Sequence, residues 1–164
     1  MVEMHVVGLA LDEKNQAPVL ILKDEAEQVV LPIWIGAMEA MSISMVLNKV
    51  AFPRPMTHDL LLATLRDLGG RLDAIEVTRM EGGTFFAELV VDVEGEARRI
   101  DSRPSDAIAL ALRCDAVIRV APAVLEEAGA PAEPEQEAVL SDEEAEKWTE
   151  ELENLSIDDL KYKM

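Results

Sequence analysis

Cysteine, aromatic residues and basic charge are all scarce in this chain, and long apolar runs are absent. The single cysteine, Cys114, has no partner for an internal disulfide, and no Cys and His pairs stand at zinc-finger spacing. A disulfide scaffold and a zinc finger are thereby excluded, and a reducing, cytoplasmic setting is expected. No stretch reaches the roughly 18 apolar residues of a membrane span, and Met1-Val2-Glu3-Met4-His5 lacks the basic patch and apolar core of a signal peptide, so no membrane partner is expected. Aromatics make up 4% of the chain, which leaves few platforms for stacking bases. Lys and Arg number 15 against 33 Asp and Glu, so long-range steering of a polyanion should be repulsive. No glycine-rich loop of the Walker or dinucleotide type is present.

What the chain does have is an apolar content of 49%, which excludes disorder over most of its 164 residues. That length suits one domain with an appendage. The formal charge of −18 is uneven, since residues 129–164 hold 12 Asp and Glu against 3 Lys. We therefore divide the chain into a domain over 1–128 and an acidic tail over 129–164. The tail opens on the Pro-bearing linker Gly129 to Glu135. Further on, Ser141 caps a stretch whose Ala145, Trp148, Leu152 and Leu155 recur at helical spacing. Such an acidic amphipathic helix would suit docking on its own domain, on a neighbouring subunit or on a protein partner.

Alternation and turn residues predict strands over Val2–Leu11, Ala17–Lys23 and Gln28–Ile35, then helices over Met38–Val50 and Leu60–Leu68. Pro32 cannot donate to a ladder, so the third strand should bulge there or lie at an edge. Strands follow over Arg71–Met80, Thr84–Val93 and Glu96–Asp101, a helix from Pro104, and a short strand over Ala116–Val120. This order predicts an α+β fold, a mixed sheet with packed helices, followed by the helical tail. Shifting the chain by 67 residues lays Ile33-Trp34 on Ile100-Asp101 and Glu39-Ala40-Met41 on Asp106-Ala107-Ile108. That echo suggests an internal duplication of a three-strand-plus-helix unit, with Glu39 and Asp106 in equivalent places across a pseudo-twofold axis. The methionines at 38, 41 and 45 and the ring of Trp34 are expected to fill packing interfaces.

Three segments concentrate polar side chains at helix starts. Asp101-Ser102-Arg103-Pro104-Ser105-Asp106 runs into the apolar Ala107 to Leu112, with Pro104 suited to the first helical position and Ser102 or Arg103 at the cap. Arg54-Pro55-Met56-Thr57-His58-Asp59 precedes a second helix, with Thr57 the natural cap, and Leu31-Pro32-Ile33-Trp34-Ile35-Gly36 leads to Glu39 in a third.

The strings LPIWIG, RPMTHDLL and DSRPSDAIALAL together resemble the bifunctional nuclease domain, over roughly residues 1 to 125. The resemblance implies a compact α+β domain, nuclease activity on DNA and RNA, and a site made from the polar positions Glu39, Arg54, Thr57, His58, Asp59, Asp101, Arg103, Ser105 and Asp106. The acidic tail departs from it, since some members of that family carry another appended module there.

Phosphodiester hydrolysis needs an activated nucleophile and positive charge on the phosphate oxygens. The chemistry of these side chains suggests His58, Asp106 and Asp101 for proton or metal work. Arg54 and Arg103, with Thr57 and Ser105, suit substrate binding. Glu39, Asp59, Asp101 and Asp106 are oxygen ligands suited to Mg²⁺ or Mn²⁺. Each also has a structural role open to it: Thr57, Asp59, Ser105 and Asp106 stand where caps stabilise a helix by about 0.5–2 kcal/mol. Arg103 between Asp101 and Asp106 would equally make a structural ion-pair network. Two functions follow. One is a low-specificity, divalent-metal-assisted nuclease acting on DNA or RNA. The other is a non-catalytic, regulatory or binding module whose polar clusters lock the fold and whose tail engages a partner. A homo-oligomer is expected in either case.

Overall fold

Period-two burial organises the strands in the computed structural model of the chain, which describes residues 1–12, 14–26 and 28–132. The predicted amphipathic helix from Ser141 lies outside the described residues. The first unit is β1 (Val2–Asp12), β2 (Ala17–Asp24) and β3 (Val29–Trp34), followed by α1 (Ala37–Leu47). After α2 (Thr57–Asp67) come β4 (Gly70–Glu81), β5 (Thr84–Val93), β6 (Glu96–Ser102) and α3 (Pro104–Cys114). The described chain closes with β7 (Val117–Val120), α4 (Pro122–Ala128) and β8 (Ala130–Pro131). In β5 the alternation is plain: Ala87, Leu89 and Val91 are buried while the residues between them are not.

All eight strands join one mixed sheet in the order β6-β5-β4-β7-β1-β2-β3-β8. Only the β4–β7 pair among these is parallel. The fold is thus α+β, as expected. Each half is an antiparallel three-strand meander that runs into a helix, and the 67-residue shift carries the first residues of β2 and α1, Ala17 and Ala37, onto those of β5 and α3, Thr84 and Pro104. Glu39 and Asp106 are each the third residue of an 11-residue helix. The chain therefore presents two equivalent carboxylates at two equivalent helix starts.

α3 is the central helix, with Ala107, Ile108, Ala109, Leu110 and Ala111 all buried. Pro104 opens it without losing a hydrogen bond, Arg103 sits at the cap with extended backbone angles, and Asp115 ends it in the left-handed region at φ 54°. Complete burial of a side chain such as Ile108 contributes about 1.5–3 kcal/mol. That packing behind α3 fixes the direction in which its first turn points. α1 lies against α3, β1 and β2, and α2 against α3 and β4.

Several expectations change in detail. Ala40 and Ile43, not the methionines, are the buried residues of α1, and Met38 is 71% exposed. Trp34 is exposed as well, its indole N–H donating to Asp12 Oδ2 at 3.0 Å. α2 starts earlier than its apolar pattern suggests, with Met56 at the cap and Thr57 already helical. The reason is Asp59, the third residue of the helix, whose Oδ2 reaches back to accept the Met56 N–H at 2.9 Å and so fixes Met56 as the cap. Pro32 pairs in register with Ile21 without a bulge, and β8 covers only Val29 and Val30, so the Pro32 side of β3 is an open edge. Ala130–Pro131, which composition placed in a linker, completes the sheet as β8.

Candidate active site

Both halves of the duplicated unit contribute a helix start, and Arg103 joins them. Its Nη1 lies 2.8 Å from Glu39 Oε1 and its Nε 2.6 Å from Asp106 Oδ2. Opposed Glu39 and Asp106 would repel each other; the guanidinium between them removes that repulsion and is held above its usual pKa by the bond and charge of Asp106 first, then Glu39. Nη2 of Arg103 makes no ion pair among the described residues, and the side chain is 65% exposed.

Asp106 turns its second oxygen, Oδ1, to His58 Nε2 at 3.1 Å. Burial favours the protonated form of Asp106, but the hydrogen bonds from Arg103 and His58 outweigh it and the carboxyl is held below its ordinary value. The other ring nitrogen of His58, Nδ1, lies 2.9 Å from Ser42 Oγ. Ser42 Oγ in turn accepts a hydrogen bond from Arg113 Nη2 at 3.1 Å. The carboxylate of Asp106 only accepts, so in the tautomer with the ring hydrogen on Nε2 that hydrogen points at Oδ1 and Nδ1 accepts the hydroxyl hydrogen of Ser42.

Arg113 anchors the far end. Its side chain is only 8% exposed, and it donates to Asp59 Oδ1 at 2.6 Å, Ala109 O at 2.7 Å and Ser42 O at 3.2 Å. For Asp59, burial again pushes the carboxyl up, while the Met56 N–H and Arg113 together bring it below its ordinary value. A continuous chain of contacts thus runs Glu39, Arg103, Asp106, His58, Ser42, Arg113, Asp59, drawn from α1, α2 and α3.

One end of this chain opens into a cavity of about 250 Å³, lined by Ser42, His58, Asp106, Arg103, Glu39 and Thr57 with Met38, Met41, Met45 and Met56. The methionines that looked like core make its apolar wall. A larger open depression of about 400 Å³ lies elsewhere, lined by Glu3, His5, Glu25 and Asp115 among others. Its lining contains no Lys or Arg and three carboxylates, which disfavours an anion.

Of the residues expected from sequence, Glu39, His58, Arg103, Asp106 and Thr57 meet at the cavity. Asp59 joins the network behind it. Ser105 is buried in the first turn of α3, and Arg54 is exposed on the loop before α2 without an ion pair among the described residues. Asp101 stands exposed on β6 opposite Glu88, outside the cavity lining, so Arg103 pairs with Glu39 in place of Asp101. The strand period explains it, because the chain turns at Arg103 from a pleat into a helix and Asp101 still obeys the pleat.

Ser42 and Arg113 were missed. Both had a signal: Ser42 is the one polar member of the stripe Met38, Met41, Ser42, Met45, and Arg113 lies two turns beyond Asp106 on one face of α3. Cys114 has no part in the site; burial raises its pKa, and its thiol donates to Leu110 O at 3.3 Å.

The four carboxylates considered for a divalent ion do not converge on one point. Asp101 is apart, Asp59 is bound to Arg113, and Glu39 and Asp106 both hold Arg103. Among the described residues no group of three or more His, Cys, Asp and Glu is arranged to hold a metal ion. The side chains as they stand do not fit a resident Mg²⁺ or Mn²⁺.

Elsewhere, several arginines are neutralised by neighbouring carboxylates. Arg99 bridges Glu76 and Glu88 at 2.6 and 2.8 Å, Arg119 lies near Glu3 and Glu76, and Arg98 meets Glu96. No helix among the described residues is long and apolar enough to cross a membrane.

Comparison with known proteins agrees with the motifs. A family model described as the bifunctional nuclease domain matches residues 20–133, a span that contains every residue of the network. Over 165 aligned residues the chain is 38% identical to an uncharacterised protein of Mycobacterium tuberculosis (strain H37Rv), covering 98% of this chain and 99% of that protein. It is 28% identical over 107 residues to Bifunctional nuclease 1 of Arabidopsis thaliana, covering 63% of this chain and 33% of the plant protein. Bifunctional nuclease 2 of the same plant is 29% identical over 112 residues, with 65% and 34% covered. The chain thus aligns with about a third of each plant protein.

Proposed function

The chain belongs to the bifunctional nuclease domain family, and we propose that it is a phosphodiester hydrolase of low sequence specificity acting on DNA or RNA. One observation carries this reading: Arg103, His58, Asp106 and Ser42 line a single solvent-reached cavity with Glu39, Thr57 and a wall of four methionines. Arg103 supplies the cation for a phosphate oxygen, with the two N–H groups of Nη2 still open. His58 and Asp106 supply proton transfer, and Asp106 holds the ring in place. The soft methionine wall takes an unstacked base without hydrogen-bond readout, which accords with low specificity. Arg54, on the loop that leads to His58, supplies a second contact for the backbone of the polyanion.

With net charge at −18 and most arginines internally paired, non-specific affinity rests on the few cationic side chains that remain, so single strands that insert a base into the cavity are favoured over duplexes. The reading includes a cytoplasmic, self-associating protein whose acidic tail binds a basic partner. Exposed Leu60, Leu61 and Leu68 on and beside the helix that carries His58 support association.

The test is hydrolysis of single-stranded and duplex DNA and RNA with Mg²⁺, Mn²⁺ or chelator, beside His58→Ala and Asp106→Ala proteins. Turnover by the natural chain that both variants lose supports the reading. Equal turnover in all three would assign the activity to a contaminant and leave the binding module as the better account, one already favoured by the internal pairing of the arginines.

A further inference from the structure

We propose that Ser42 Oγ is the nucleophile at this site and that hydrolysis passes through a covalent phosphoryl-serine. The inference rests on the phosphodiester reading and names its attacking atom.

The argument starts from His58. A base must have a lone pair within reach of the proton it takes, yet Nε2 faces Asp106 Oδ1 at 3.1 Å and Nδ1 faces Ser42 Oγ at 2.9 Å. Water meets neither nitrogen without displacing a protein group. The proton that Nδ1 is placed to accept is the Ser42 hydroxyl proton. The imidazolium formed is then stabilised by Asp106, which is the order of roles in a Ser-His-Asp triad with the two ring nitrogens exchanged. The ring is nearly symmetric in this respect, so the exchange does not alter the chemistry.

Ser42 has two further qualifications. It lines the cavity together with Arg103, so its oxygen and the phosphate-binding cation share one space. It also accepts from Arg113 Nη2 at 3.1 Å, a buried guanidinium that stabilises negative charge as it develops on Oγ. Arg113 is fixed before any substrate arrives by Asp59, Ala109 O and Ser42 O, so no reorganisation is needed during the reaction. A serine kept only for helix packing would not need a buried cation on one side of its oxygen and a histidine on the other.

In the first step the Ser42 proton passes to His58 Nδ1, the Oγ–P bond forms, and the P–O bond to the leaving strand breaks. The leaving oxygen takes the proton from Nδ1. In the second step water gives a proton to Nδ1 and attacks phosphorus, the Oγ–P bond breaks, and Oγ recovers the proton. Water is the sole co-reactant.

The test treats the full chain with an alkyl fluorophosphonate and maps the adduct by mass spectrometry. Hydrolysis of bis(p-nitrophenyl) phosphate is followed in parallel, for the natural chain and for Ser42→Ala, His58→Ala and Ser44→Ala. Alanine is the best helix former, so Ser42→Ala keeps α1, which circular dichroism verifies. We expect an adduct on Ser42 that Ser44→Ala retains and that Ser42→Ala and His58→Ala lose, with turnover of Ser42→Ala lower by roughly 10³-fold or more. A serine that merely positions His58 would lower turnover without taking up phosphorus, and the missing adduct would overturn the inference. Turnover of Ser42→Ala within threefold of the natural chain would overturn it too while leaving the nuclease reading intact. An adduct on Ser42 in a protein that hydrolyses no phosphodiester would support the nucleophile and defeat the nuclease reading.

Discussion

His58 and Asp106 stand 48 residues apart in sequence and 3.1 Å apart in space, and the remaining oxygen of Asp106 belongs to Arg103 at 2.6 Å. One carboxylate therefore ties the proton-transfer group to the phosphate-binding group. Moving either disturbs the other.

Asp106→Asn preserves shape but sets an amide where two donors now converge, so either His58 or Arg103 loses its partner. We expect kcat to fall by about 10²–10⁴-fold, with unchanged circular dichroism. Steady-state hydrolysis of a fluorescent single-stranded oligonucleotide measures it, and a kcat within threefold of the natural chain would remove Asp106 from the mechanism.

Arg103→Lys keeps the charge but gives up the fork that spans Glu39, Asp106 and the phosphate. We expect KM to rise about tenfold, equivalent to roughly 1.4 kcal/mol. Arg103→Met should raise it further and reduce the slope of log kcat/KM against log salt by about one. A salt series on the three proteins distinguishes a phosphate contact from a purely architectural pair, which would leave the slope unchanged.

Arg113→Met tests stability. Its guanidinium is 8% exposed and Asp59 is 38% exposed, so the pair is buried on one side only. Breaking a fully buried pair costs about 3–5 kcal/mol; solvent on Asp59 lowers the expectation here to about 2–3 kcal/mol. Asp59→Ala should cost more than Arg113→Met, because it leaves the better-buried charge alone. Urea titrations at neutral pH give both values, and the reverse order would contradict this account.

Acid should weaken the domain through Asp59 and Asp106. Both carboxyls are held below the ordinary 3.8 in the folded state, against the upward push of burial, by their hydrogen bonds to N–H groups. Near and below pH 3.8 the unfolded chain binds protons that the native chain still refuses. Their contribution is therefore complete above that pH and disappears as pH falls through the lower, folded values. Urea titrations from pH 7 to pH 2.5 should show stability falling below pH 4, with a shallower fall in Asp106→Asn. An equal slope in that variant would mean that Asp106 is not held low.

Much of the architecture was legible because its signals are local. Alternation found the strands of both meanders, and Pro104 marked the start of α3. The 67-residue echo anticipated that Glu39 and Asp106 occupy matching helix positions. α4 and β8 escaped notice, since a seven-residue helix and a two-residue strand carry too few residues for a period to emerge.

What the sequence determined by itself is which residues are polar at helix starts, because a cap, a proline and a first-turn carboxylate act within a few residues of each other. What only the tertiary structure decided is the pairing: Arg103 with Glu39 instead of Asp101, and His58 with Ser42. Arg113 spans 71 residues to Ser42 and 54 to Asp59. Such contacts depend on how α1, α2 and α3 pack over a sheet formed from both halves of the chain, and on the rotamers that packing permits. No local period encodes the crossing of three helices, so the residues were readable one at a time and the network they form was not.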